Sequence, residues 1–198
     1  MLPKKILTLT TLLMIVSSSV SKVHSIEADV FIQSVVNRAA KTLGGNLTKD
    51  ERIEKLKDIA RETVDIDGIG RYTLGSYKNK ITESQITEYK TLFREYFLKT
   101  FSSRLAEYSN PEIEVISKKK LNENYTMVYS LLVATEQRPE VKIDWRVSTK
   151  NPDNPLIMNL IIEGLSLART QKEEFSSIIE SNDGDINALF STLKKFIK

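Results

Sequence analysis

The spacing of apolar residues changes twice along this chain, from helical to alternating and back to helical. Val30, Phe31, Val35, Val36, Ala39 and Leu43 recur at helical spacing, and Gly44-Gly45 marks a stop. Thr48 and Glu51 have the spacing of a capping box, which opens a helix that turns Ile53, Leu56, Ile59, Ala60 and Val64 inward. A second box, Thr82 to Gln85, starts the longest helical segment. Its stripe runs through Ile86, Tyr89, Leu92, Phe93, Tyr96, Phe97, Phe101, Leu105 and Tyr108, and Pro111 ends it.

From Glu112 the period becomes two. Ile113 and Val115 alternate with acids, and the stretch from Leu121 to Asn124 reads as a hairpin turn. Tyr125, Met127, Tyr129, Leu131 and Val133 are expected on one strand face. Val141 to Val147 alternates apolar with charged, as a strand of an antiparallel sheet covered on one side does. A turn at 151–155 precedes a more fully buried strand, Leu156 to Ile162. Thr170 to Glu173 predicts the cap of a helix through Phe175, Ile178 and Ile179. After Asn182-Asp183-Gly184, Ile186, Leu189, Phe190, Leu193 and Phe196 predict a last amphipathic helix. The expectation is an α+β fold: a twisted antiparallel sheet of about four strands packed against helices. The absence of repeats and linkers makes residues 26–198 one expected domain.

The first 25 residues stand apart. Lys4 and Lys5 precede an apolar core, Ile6 to Val16, that is too short to span a bilayer, and Val23-His24-Ser25 suits signal peptidase. Residues 1–25 therefore read as a signal peptide, with Ala28 as a second cleavage point and no lipoprotein cysteine after the apolar core. Removing them changes the charge. The 198-residue chain has 29 basic and 26 acidic residues, and Lys4, Lys5 and Lys22 leave with the signal, so 26 of each remain. A neutral mature protein gives no electrostatic reason to expect nucleic acid.

The sole histidine, His24, leaves too, and there is no cysteine. The mature chain lacks the usual proton shuttle, a thiol nucleophile and the commonest zinc ligands. No catalytic residue and no metal are expected. The glycine-rich stretch Asp65-Ile66-Asp67-Gly68-Ile69-Gly70 has neither the ligand spacing of a calcium loop nor the third glycine of a dinucleotide fingerprint. It reads as a helix start, with Asp67 as cap, Ile69, Tyr72 and Leu74 inward and Gly75 as stop. Asn182 to Asp185 reads as a turn and cap. Lys118-Lys119-Lys120 reads as a solvated sheet edge. Glu163, after an apolar run, is the acid expected to be buried, as a hydrogen-bonded structural group at a strand end. Two other readings remain open: a carboxylate hydrolase built on Glu163 and Asp144, and a chaperone or assembly module.

These pieces, in order, resemble a family. Asp65-x-Asp67-Gly68-Ile69-x-Arg71-Tyr72-x-Leu74-Gly75 is followed by Phe93-Arg94-Glu95-Tyr96 and by Val141-x-Ile143-x-Trp145-Arg146. Ile162 to Leu167 and Glu174-Phe175 with Ile178-Ile179 complete the set. The pattern, from Val30 to Phe196, resembles MlaC, the toluene-tolerance family of periplasmic phospholipid-binding proteins. It departs in lacking a Trp near Pro155 and in having Gln171-Lys172 where an aromatic-Arg pair is usual. The resemblance implies a monomeric phospholipid carrier with an apolar cleft between sheet and helices and no cofactor beyond the bound lipid. Its implied partners are an inner-membrane ABC transporter with an MCE-domain subunit and an outer-membrane lipoprotein complex. The expected lipid-contacting residues are Phe93, Phe97 and Phe101 on the long helix, with Tyr129, Leu131, Ile143 and Trp145 on the facing strands.

Overall fold

A computed structural model describes residues 26–108 and 111–198, so the expected signal peptide, residues 1–25, lies outside the described residues. Among the described residues there are six α-helices and five strands. In chain order they are α1 (Ala28–Gly44), α2 (Lys49–Thr63), α3 (Ile66–Thr73), α4 (Glu83–Leu105), β1 (Ile113–Asn122), β2 (Tyr125–Leu132), β3 (Val141–Ser148), β4 (Leu156–Ile162), β5 (Leu165–Ser166), α5 (Leu167–Glu180) and α6 (Ile186–Ile197). The strands form one antiparallel sheet in sequence order.

Both N-terminal capping boxes form: the Thr48 and Thr82 hydroxyls accept the amides of Glu51 and Gln85, whose side chains bond back to the cap amides. Other boundaries differ from expectation. The cap of α3 is Asp65, which accepts the Gly68 amide at 2.9 Å. Val64 is still extended, bridged to Ile157 of β4, so the helix starts just after Asp65 and leaves Asp67 free to pair with Arg94 at 2.6 Å. Ser166 caps α5, which begins before the expected Thr170. The fifth strand exists because Glu163 and Gly164, with φ of 48° and 80°, make a two-residue hairpin turn. That twist matches the strands it joins.

The sheet has one covered face. Antiparallel partners point the same way, so the register sorts the side chains. Ile113, Val115, Val128, Ser130, Leu132, Val141, Ile143, Trp145, Val147, Ile157, Leu160 and Ile162 share the inner face. The apolar core draws its strand residues from this face alone and joins them to all the helices except α2's outer turns. Tyr125, Met127, Tyr129 and Leu131 lie on the other face, half-buried among Lys142, Asp144 and Arg146. The Arg146 guanidinium stands 4.9 Å from the centre of the Tyr125 ring. This reverses the expected orientation of β2. The pattern of β2 is apolar on both faces, and Trp145 fills the space beside its smaller residues. Val128 and Ser130 fit there, while tyrosines keep their hydroxyls at the surface.

Candidate functional site

The site is built around β3, the central strand of the sheet. Helix α1 covers β1 and β2, while α3 and α5 cover β4. Helix α4 packs on α2, α3 and α6 and forms the roof of the interior. Between roof and floor lie side chains only: the aromatic row of α4 above, and Ile143, Trp145 and Val147 of β3 below, in one continuous apolar cluster.

The roof residues repeat every fourth position, which sets them on one line of the helix. Phe93 is buried and its ring centre is 6.1 Å from that of Phe97. Phe97 and Phe101 are half-buried and stack nearly parallel at 5.5 Å. Phe93 also stacks on Tyr89 and meets Phe175 of α5 edge-on. Position along the row therefore differs in kind: the Phe93 end is buried and locked into helix packing, and the Phe97–Phe101 end is half-buried.

Trp145 carries the one polar group that its position must satisfy. Its Nε1 donates to the Ser130 hydroxyl at 2.8 Å, and that hydroxyl donates to the Ile143 carbonyl at 2.7 Å. Ser130 thus lets an indole lie inside an apolar interior without an unpaired donor. It was not among the expected site residues; a small polar residue alternating with large ones was the available signal. Two phenols behind the row are also satisfied. Thr73 donates to the Gly70 carbonyl and takes the Tyr89 hydroxyl at 2.8 Å, and the Tyr96 hydroxyl donates to Gln171 at 2.9 Å. Burial pushes both phenols above their ordinary pKa, so both stay neutral.

The stretch from Asp65 to Gly70 positions the roof. The Asp65 amide donates to the Ile157 carbonyl, which anchors the start of α3 to β4. Gly70 then lies against Phe93: a Cβ there would come within 2.7 Å of the ring. Absence of a side chain lets α3 approach the head of the aromatic row. Tyr72, expected inward, is exposed under the Lys172 ammonium instead.

The strands do not bring all the expected residues together. Phe93, Phe97, Phe101, Ile143 and Trp145 join one interior, while Tyr129 and Leu131 sit on the opposite face, paired with Asp144 and Lys142. The carboxylates are also placed elsewhere. Glu163 is exposed, not buried; its Oε1 accepts the Lys142 amide and its own amide donates to the Lys142 carbonyl, which closes the end of β3. Asp144 is on the outer face, its carboxyl raised by partial burial against the pull of Lys142. Neither acid reaches the interior. Lys118, expected to be solvated, holds Glu27 at 2.6 Å and Asp29 at 2.8 Å and keeps the Asp29 carboxyl low.

At the sheet edge a groove of about 480 Å³ opens between α1 and β1, lined by Val36, Ala40, Ile113 and Val115 with Gln33, Asn37 and Glu114. This is in the size range of small-molecule clefts, roughly 300–1,000 Å³. Val36, Ile113 and Val115 also pack on the interior cluster. Among the described residues no cluster of three or more potential metal ligands occurs, and no helix is long and apolar enough to cross a membrane.

Residues 32–195 match the family model described as MlaC protein. The chain belongs to the MlaC family. Its fold is similar to that of the phospholipid-binding protein from Ralstonia solanacearum, solved in complex with a phospholipid. The two share 19% identity, with 87% of this chain and 97% of that chain covered, at a TM-score of 0.72. No curated protein sequence matches this MlaC-family chain.

Proposed function

We propose that this protein is a phospholipid carrier of the periplasm, holding acyl chains between the roof of α4 and the inner face of β3. The observation that carries this reading is the aromatic row of α4 sharing one apolar interior with Ile143 and Trp145 of β3, in a chain of the MlaC family. In this reading residues 1–25 are a cleaved signal peptide and residues 26–198 form one monomeric lipid-binding domain. It receives lipid from, and returns it to, an outer-membrane lipoprotein complex and an inner-membrane ABC transporter with its MCE-domain subunit.

The energetics suit a carrier that hands over while docked. Two acyl chains hold about 30 methylenes, so their transfer out of water is worth roughly 24 kcal/mol gross. Release through water would be slow, whereas contact with a second apolar site removes that barrier. No acid or base is needed. Phe93, Phe97, Phe101, Ile143 and Trp145 are the lipid-contacting residues in this proposal; Tyr129 and Leu131 belong to the outer face.

Trp145 is the only tryptophan, so its fluorescence reports on the site without interference. Titrating delipidated protein with phospholipid brominated on the acyl chains should quench that emission to saturation near one lipid per protein, and organic extracts of the native protein should contain phospholipid. Unquenched emission together with lipid-free extracts would overturn the assignment. Peptide in place of lipid in the purified material would favour the chaperone reading.

A further inference from the structure

The groove between α1 and β1 sits where an edge strand would ordinarily expose its unpaired backbone. Gln33 covers that backbone. Its side-chain Nε2 donates to the Ile113 carbonyl at 3.5 Å and to Asn37 Oδ1 at 2.9 Å, and its Oε1 accepts the Val115 amide at 3.3 Å. One side chain thus takes the place of a neighbouring strand. Towards the start of α1, Lys118 ties Glu27 and Asp29 to β1, and the Ile26 amide donates to the Pro152 carbonyl. Beyond Gln33, the next turns of α1 pass Val36, Asn37 and Ala40 and face Pro111 to Val115 across the groove.

We infer that this seam is the passage by which acyl chains reach and leave the interior, with Gln33 as its latch; the inference rests on the carrier reading above. Three observations converge. The groove floor of Val36, Ile113 and Val115 is also the outer wall of the apolar cluster that includes Phe97 and Phe101. Leu105, one turn beyond Phe101, packs on the small cluster of Leu43, Leu56 and Ala106, and Leu43 lies one turn beyond Ala40, so the far end of the aromatic row and the groove-lining face of α1 run towards the same cluster. Opening the seam at the groove breaks no ladder or helix bond; the polar contacts that cross it there are the two long bonds of Gln33 to β1, with the Lys118 pairs lying towards the start of α1. Elsewhere around the interior, α5 and α6 are joined to α4 through buried aromatic rings, and α3 is anchored to β4 by the Asp65–Ile157 backbone bond.

An acyl chain suits this passage better than an added peptide strand. The free groups of Ile113 and Val115 are already taken, β1 bulges at Ile116, and Lys118 to Lys120 follow.

The chain has no native cysteine, so the seam can be locked cleanly. Ala40→Cys with Glu114→Cys, joined by a short bifunctional maleimide, spans the groove without touching the latch. The measurement is the rate at which full-length mature protein transfers fluorescent phospholipid to acceptor vesicles. Linked protein should retain its lipid and transfer it at least tenfold more slowly than the same protein before linking. Gln33→Ala should transfer roughly tenfold faster at unchanged bound lipid, from the loss of two modest hydrogen bonds. Unlinked-like transfer by the linked protein, or a wild-type rate in Gln33→Ala, would overturn the passage while leaving the carrier reading intact. A wild-type protein that takes up no lipid would overturn the carrier reading itself.

Discussion

Removing the Ser130 hydroxyl should reveal how much the interior depends on one polar atom. Ser130→Ala leaves the Trp145 Nε1–H without its acceptor, at a position 7% exposed and so beyond easy reach of water. An unsatisfied buried donor costs about 1–3 kcal/mol. The Ile143 carbonyl loses a donor too, but a carbonyl with a second lone pair suffers less, so the total should be about 2–3 kcal/mol. For a domain of this size each kcal/mol lowers Tm by roughly 2–4 °C. The expected drop is therefore about 4–12 °C. Trp145→Phe removes the donor and some ring volume, and should cost a similar amount alone. In the double variant no donor is stranded, so the two losses should not add; a coupling of at least about 1 kcal/mol is expected. Thermal melts followed by far-UV circular dichroism measure all four corners of the cycle. Strict additivity would refute the argument, because it would mean that the indole N–H finds another partner as soon as the serine is gone.

Two further perturbations address the roof and the junction that positions it. Gly70→Ala places a methyl against the Phe93 ring and should destabilise by about 1–3 kcal/mol, the usual cost of overpacking, in a denaturant titration; a neutral result would mean that the ring simply turns aside. Phe97→Asp and Ile143→Asp should part company. The half-buried Phe97 position gives a carboxylate some water, so that variant should melt cooperatively while carrying less lipid. Ile143→Asp strands a charge beneath the sheet and should lose several kcal/mol, enough to abolish a cooperative melt. Full lipid content in Phe97→Asp would remove that residue from the site.

Much of this architecture could be read from the chain because its local signals agree with its global packing. Two capping boxes set the starts of α2 and α4, and the alternation in β3 was one-sided enough to orient that strand. Strand β2 was not legible. Its sequence, Tyr-Thr-Met-Val-Tyr-Ser-Leu-Leu, is moderately apolar on both faces, so volume beside Trp145 decides which face turns in. Glu163 was misplaced for a related reason. An acid after an apolar run looks buried, but two successive positive φ angles turn the chain out at that point. The cap of α3 falls at Asp65, two residues before the expected Asp67, because the pairing of Val64 with Ile157 depends on a strand far along the chain. Gln33 gave no sequence signal at all. Its role exists only once α1 lies against the edge of β1.

The strand order has a consequence for how the protein assembles. Every pairing in the sheet joins sequence neighbours through a short connection, so each hairpin can close at small entropic cost as soon as its two strands exist. Bringing α2 and α3 to β4 requires closing a loop that contains most of the sheet. Such long-range contacts are the slow ones. The meander should therefore form early, with its inner face bare, and the α2–α3 junction should dock late. A fatty ligand that meets the chain in that interval finds the floor of its site before the roof has arrived, and refolding rates measured with and without lipid would then differ most in the docking step.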